Sequence, residues 1–411
     1  MKVAEGYKDT KIGRIPKDWE VVKLSEVADI LNNKRKPLNS SQRNSISGDV
    51  PYYGANGQVD SINDFIFNEP LILMAEDGGN FSDYEFRHIA YKITGKSWVN
   101  NHAHVLKPKS DFDFDYIFYE LEHKNILRFI NGSTRTKLNQ GDLKGIPLKI
   151  PPLPEQQKIA EILSTVDEQI STTQAIIDKS KKLKKGLMQK LFSEGIGHTE
   201  LKDTKIGRIP KDWEVVKLND YVLKVGSGVT PKGGSSVYLK EGIPLLRSQN
   251  VLYGKLYLDD VACIGEPQYQ KMKNSQLQEH DVLLNISGAS IGRSAVVPQH
   301  ILPANVNQHV CIIRAKDLIY SNYLCSFLLS REGQNQIFRL QAGGNREGLN
   351  FQQIRSFKIP LPPFTEQQKI AEILSEADAK IEKEELEKTK FEELKKGLMQ
   401  QLLTGKKRVK V

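Results

Sequence analysis

From Glu155 to Leu191 the chain has no proline and one glycine, Gly186, and its apolar residues keep spacings of three and four. They fall at Ile159, Leu163, Val166, Ile170, Ile177, Leu183, Leu187 and Leu191. A second run repeats the pattern with Ile370, Leu374, Ala377, Ile381, Leu394, Leu398 and Leu402. This period predicts two long helices with a narrow apolar seam, interrupted by polar Thr173, Ser180 and Glu384. Each run opens after a proline-rich stop, at 150–157 and 361–368, because proline suits a helix start but not its interior. At 1.5 Å per residue the first run spans about 55 Å. Two such helices in one chain pack most simply as an antiparallel pair; two surface helices on separate domains are the alternative.

The stretches before each helix differ in kind. About Ser25 to Ile150 and Asn219 to Leu361 carry short apolar runs of strand character, at 71–74, 281–284 and 310–313, between glycine turns such as Gly78-Gly79, Gly288 and Gly343-Gly344. Each also holds one predicted helix, Tyr116 to Ile130 and Ser321 to Phe338. The expectation is two mixed α/β domains of about 130 residues each.

The chain also repeats itself. KDTKIGRIPKDWEVVKL at 8–24 recurs without change at 202–218. EQQKIAEILS at 155–164 recurs at 366–375, and LKKGLMQ at 183–189 recurs at 394–400. Weaker echoes lie between these blocks: Asn100 and His102 face Asn307 and His309, and Arg135 and Asn139 face Arg346 and Asn350. One half has been duplicated and has diverged in its middle, which predicts a pseudo-two-fold α+β fold. The expected parts are a first domain at 1–150, a central helix at 151–195, a second domain at 196–361 and a terminal helix at 362–411.

Lys and Arg outnumber Asp and Glu by 59 to 50, giving a formal charge of +9, which mildly favours anionic partners. Neither a signal peptide nor an apolar run long enough to cross a bilayer is evident, so the expected location is the cytoplasm, with no membrane partner. Cys263, Cys311 and Cys325 are too few and too scattered for a disulfide framework or a zinc site.

A search for catalytic chemistry yields only decoys. The Walker A pattern, the GxGxxG fingerprint and the [DN]PP[YFW] tetrapeptide of amino-methyltransferases do not occur. Asp115 upstream of Glu122-His123-Lys124 resembles a Mg²⁺-dependent nuclease core, but these acids lie on a run with helical spacing. His102 and His104 could form a metal pair, yet no third ligand of matching character follows, and structural histidines are the better reading. The lysines at 179, 181, 182, 184 and 185 either grip phosphate or simply form a solvated face. The expectation is a chain with no catalytic and no metal-binding residues.

Identical segments used twice imply one partner met twice, and unlike segments on a shared scaffold imply two unlike ligands. Asymmetric double-stranded DNA fits the second condition, since base edges distinguish half-sites while phosphates supply affinity. Together the GRIPKDWEVVKL, PPLPEQQKIAEILS, PPFTEQQKIAEILS and LKKGLMQ segments resemble the conserved regions of Type I restriction–modification specificity subunits, and the resemblance covers essentially the whole chain. It implies two target-recognition domains held apart by antiparallel coiled-coil helices that act as a ruler. It also implies a non-catalytic subunit that recruits two adenine-N6 methyltransferase subunits and a restriction subunit. S-adenosylmethionine, ATP and Mg²⁺ are then expected in those partners, with no cofactor in this chain. The competing reading is a two-domain coiled-coil scaffold or adaptor that binds no nucleic acid.

Arg and Lys match guanine edges, and Asn and Gln match adenine edges, in the major groove. Unlike polar residues on loops are therefore the base-reading candidates: Arg35, Asn39, Gln42, Arg43 and Asn56 in the first half, and Lys232, Arg247, Gln249, Asn250 and Arg293 in the second. Positions alike in both halves better suit phosphate contacts or internal hydrogen bonds. These are Asn100, His102, Arg135 and Asn139, with Asn307, His309, Arg346 and Asn350.

Overall fold

A computed structural model describes residues 6–132, 136–341 and 348–410. The chain forms two compact units, 1–174 with 385–411 and 175–384. Each unit therefore holds one recognition domain, the start of the long helix that follows it, and the end of the other long helix.

In the first unit a four-stranded antiparallel sheet runs in the order Ala28–Ile30, Ala103–Pro108, Leu71–Ala75, Ala90–Ile93. Leu71–Ala75 is buried throughout, so it reads as a continuous apolar run instead of an alternating one. A second sheet has the order Gly57–Ile62, Ser47–Gly54, Lys96–Val99, Phe67–Asn68, with its central pair parallel. Helix Phe114–Glu122 packs on the first sheet. The second unit repeats the plan. Its four-stranded sheet is Val222–Ser227, Val310–Ala315, Val282–Asn285, Ser294–Val296, its three-stranded sheet is centred on Ile243–Leu246, and its helix is Ser321–Leu329. In both units the strand that enters the domain pairs with the strand that leaves it: Glu20–Lys23 with Pro147–Ile150, and Glu214–Lys217 with Lys358–Leu361. Each domain is thereby closed just before its helix begins.

The long helices span Leu153–Glu194 and Phe364–Leu402. Within the first unit Glu155 meets Arg408, just past the end of the other helix, at 2.7 Å and Asp167 meets Lys395 at 2.8 Å; within the second Lys184 meets Asp378 and Ile196 N, just past its helix, donates to Glu366 at 2.9 Å. Rising numbers on one helix face falling numbers on the other, so the segments run antiparallel in each unit. Ile159, Leu163, Ile177, Leu191, Ile370, Leu374 and Ile381 are buried as the period predicts. Leu183 and its repeat Leu394 are not; they are 69% and 48% exposed and leave the seam. Both predicted domain helices are also shorter than expected. Tyr116 to Ile130 breaks at His123, and Ser321 to Phe338 breaks at Ser330, whose Oγ accepts from Gly333 N and starts a separate helix, Arg331–Gln341.

The repeated blocks bind one another. Trp19 Nε1 donates to Glu155 Oε2 at 3.0 Å, and Trp213 Nε1 donates to Glu366 Oε2 at 3.1 Å. Both tryptophans are fully buried. The identity of these segments is thus partly a demand of the scaffold itself. The third partner differs between units. Arg408 spans Glu155 (2.7 and 2.8 Å) and Asp18 (2.9 and 2.6 Å), whereas His198 Nε2 lies 3.0 Å from Glu366 Oε1. The arginine lowers the Asp18 pKa chiefly through that hydrogen bond. Arg408→Ala should cost the first unit roughly 1–2 kcal/mol, a value reduced by the partial exposure of the guanidinium. Urea unfolding checks this. A depressed carboxylate stabilises above its ordinary value, so the Asp18 share of the loss should vanish as pH falls below 3.8.

Candidate nucleic-acid interface

The unlike loop residues divide into groups held inside the domains and groups left on their surfaces. Arg35 is committed internally: its guanidinium donates to Glu76 Oε2 at 2.7 Å, the Ala103 carbonyl at 2.8 Å and the Asn32 carbonyl at 3.1 Å. Arg43 pairs with Asp60 at 2.6 Å, which raises its pKa, and lies over the Tyr52 ring. Asn39 and Gln42 form a reciprocal capping box on helix Ser40–Ser45. Asn56 is exposed and donates to the Gly78 carbonyl.

In the second unit Asn250 is fully buried and ties its own loop together through the carbonyls of Tyr257 and Asp260. Gln249 donates to Asp260 Oδ2 at 2.8 Å. Lys232 is exposed. Arg247 and Arg293 share a different arrangement. Each guanidinium lies over a tyrosine ring, Tyr238 at 5.8 Å and Tyr253 at 5.6 Å, and each has a buried Nε with no hydrogen-bond partner. Tyr253 itself is largely exposed. Arg247 also faces Asp260 at 3.8 Å, and a ring contact limits the orientations open to each guanidinium.

The positions alike in both halves make internal bonds. Asn100 Oδ1 accepts from His102 N at 2.8 Å, and Asn307 Oδ1 accepts from His309 N at 3.1 Å. Asn139 and Asn350 stand at the starts of short helices. His102 Nδ1 contacts Asp77 at 2.8 Å, and His309 contacts Ser287. Arg135 and Arg346 lie outside the described residues. His104 is buried, with Nε2 donating to the Leu138 carbonyl at 2.7 Å and Nδ1 accepting from Asn32, and burial pushes its pKa down. It is a structural histidine.

The nuclease-like residues do not converge: Asp115 pairs with Lys92, Lys124 with Glu120, and Glu122 with His88 and Lys395. His88, Glu122 and His123 do come together, each offering a ligand atom within 4.8 Å of the others. Sequence inspection missed this group, because a lone loop histidine more than 30 residues upstream carries no signal. It also missed Lys36 over Trp98 and Lys96 over Phe65 on the first domain. Only the run Lys34-Arg35-Lys36 hinted at the former.

These features define a class: a duplicated scaffold of identical buried contacts that carries two unlike surfaces. The family model for the Type I restriction modification DNA specificity domain matches residues 16–182 and 210–395. The chain belongs to that family. It is 31% identical to the Type I restriction enzyme MjaVIII specificity subunit of Methanocaldococcus jannaschii, covering 99% of this chain and 97% of that one. It is 28% identical to the putative specificity subunit S.HindORF215P of Haemophilus influenzae, over 85% of each. The fold is shared with the S subunit of a Type I restriction–modification system from M. genitalium, with a TM-score of 0.63 at 16% identity and 98% coverage of both chains. Among the described residues no helix is long and apolar enough to cross a membrane.

Proposed function

We propose that this chain reads a bipartite, asymmetric DNA site, one half-site per recognition domain, and does no chemistry of its own. The observation that carries the reading is the partition within the repeat. What is identical ties each domain to its helix through the buried Trp19–Glu155 and Trp213–Glu366 contacts and leaves the same exposed residues on both halves, whereas what differs lies in the recognition domains, whose loops carry Arg247 and Arg293 over tyrosine rings. Those two arginines are the leading base readers of the second domain. On the first, Lys36 and Lys96 suit phosphate contact.

Two methyltransferase subunits would dock on the surfaces that the repeat presents twice. Leu183 and Leu394 are large, exposed and identical in setting, and an apolar side chain placed twice in water fits a partner met twice. A restriction subunit would join the same assembly. S-adenosylmethionine, ATP and Mg²⁺ would be bound by those partners.

Exchanging residues 25–145 for the same region of a relative tests the division of labour. Mapping methylated adenines in a host that carries the hybrid should show one half-site changed and the other intact. Simultaneous change of both would refute the two-reader scheme, and unchanged methylation would favour an adaptor role without DNA reading.

A further inference from the structure

We propose that the first recognition domain holds a divalent transition-metal site of the Zn²⁺ class, built from His88, Glu122 and His123. The ligand atoms lie within 4.8 Å of one another; a tetrahedral ion with bonds of about 2.0–2.2 Å needs separations of about 3.4 Å, so small side-chain rotations close the group on one ion. Two imidazoles and one carboxylate are a donor set that suits Zn²⁺ and Co²⁺ over Mg²⁺ or Ca²⁺, with a fourth position left to water.

The group is positioned before any ion arrives. Glu122 ends helix Phe114–Glu122 and His123 caps it. His123 Nδ1 donates to the Tyr84 carbonyl at 2.6 Å, which leaves Nε2 as the ligating nitrogen; a ligand histidine is commonly fixed this way through its other nitrogen. The loop bearing His88 is tied to the same helix end by Ile89 N, which donates to the Glu122 carbonyl at 2.9 Å. Asn80 holds the His88 carbonyl from the other side at 3.1 Å. His88 Nδ1 already lies 2.9 Å from Glu122 Oε1. His88 and His123 also line a cavity of about 1270 Å³, which gives an ion a route in and room for the water ligand.

Lys395 is the obvious competitor, since its Nζ lies 2.9 Å from both Glu122 oxygens. Its contact with Oε2 falls outside hydrogen-bond geometry. The ammonium also has Asp167 at 2.8 Å, so an ion can take one carboxylate oxygen without stranding the lysine.

The repeat argues that these residues are no requirement of the scaffold. Tyr116 donates to the Lys149 carbonyl and Tyr323 to the Pro360 carbonyl, which aligns helix Phe114–Glu122 with Ser321–Leu329. Leu329 and Ser330 then stand where Glu122 and His123 do, and the fold closes there equally well without them.

Titrating the chelator-treated full chain with Co²⁺ tests the site. One equivalent should bind with the visible bands of a four-coordinate nitrogen–oxygen site, and Zn²⁺ should displace it. His123→Gln and His88→Gln should each weaken binding more than about 10-fold, while circular dichroism shows the fold retained. His300→Gln, an exposed histidine of the second unit outside the group, should leave Co²⁺ binding unchanged. Absence of stoichiometric Co²⁺ bands in the unaltered chain, or bands that survive both substitutions, would overturn the proposal.

Discussion

Lys395→Met should destabilise the first unit by about 3–5 kcal/mol, the cost of leaving a buried charge without its partner. Glu122 is almost wholly buried, and Lys395 reaches both of its oxygens and Asp167 within 2.9 Å while lying over the Tyr119 ring. Burial alone raises the Glu122 pKa, but the hydrogen bond from His88 and the Lys395 charge more than reverse that, and it sits below its ordinary 4.5. A lowered carboxylate pKa means stability that is present above 4.5 and lost as pH falls through the folded-state value. In the variant the cation is gone and burial dominates, so Glu122 takes up a proton more readily. The gap between variant and parent should therefore narrow in acid. Urea unfolding near pH 7 and again near pH 4 reads both effects. Adding Glu122→Gln to the variant should recover part of the loss, because the two groups are directly coupled. A loss that is unchanged in acid and indifferent to Glu122→Gln would show that the lysine acts through packing alone.

The architecture was legible because periodicity and repetition are properties of the chain itself. The helix stops at Pro151-Pro152 and Pro362-Pro363, the strand runs expected at 71–74, 281–284 (observed as Val282–Asn285) and 310–313, and the seam residues Ile159 and Ile370 all follow from local rules. Leu183 shows where those rules end. Its spacing is that of a seam residue, but two lysines and a glycine follow it within LKKGLMQ, and the helix turns it to solvent. Tyr116 to Ile130 failed for a similar reason. Apolar spacing continues past His123, yet Leu127 packs from a separate turn and is partly exposed. The candidate interface was less legible still. Residue type marks Arg35 and Arg247 equally, and only tertiary partners separate them: Glu76 and three carbonyls engage the first, whereas the second lies over Tyr238 with only Asp260, at 3.8 Å, as an ionic partner. His88 joins Glu122 and His123 only because the loop from Asn80 to Ile89 folds back on the helix end, a contact with no local sequence signature.

On the proposed two-reader scheme, seven residues inserted in each long helix, after Gln174 and after Glu384, should lengthen the DNA spacer between half-sites by about three base pairs. These are the points at which each helix passes from one compact unit to the other. Seven residues preserve the heptad phase, so Ile159, Ile177, Ile370 and Ile381 keep their buried places. Insertion in both helices matters because the segments are antiparallel in each unit, and lengthening one alone would break the Asp167–Lys395 and Lys184–Asp378 register. The added rise is about 10 Å at 1.5 Å per residue, and DNA rises about 3.4 Å per base pair. Three pairs also rotate the far half-site by about 100°, given 10–10.5 pairs per turn. A coiled coil of roughly 150 Å pitch turns only about 25° over the same length. DNA bending or untwisting must absorb the difference, so affinity should fall even at the best new spacing. Competition binding of the assembled complex to duplexes with graded spacers gives the optimum directly. An optimum that stays put in a folded insertion variant would show that the helices do not set the distance between the two readers.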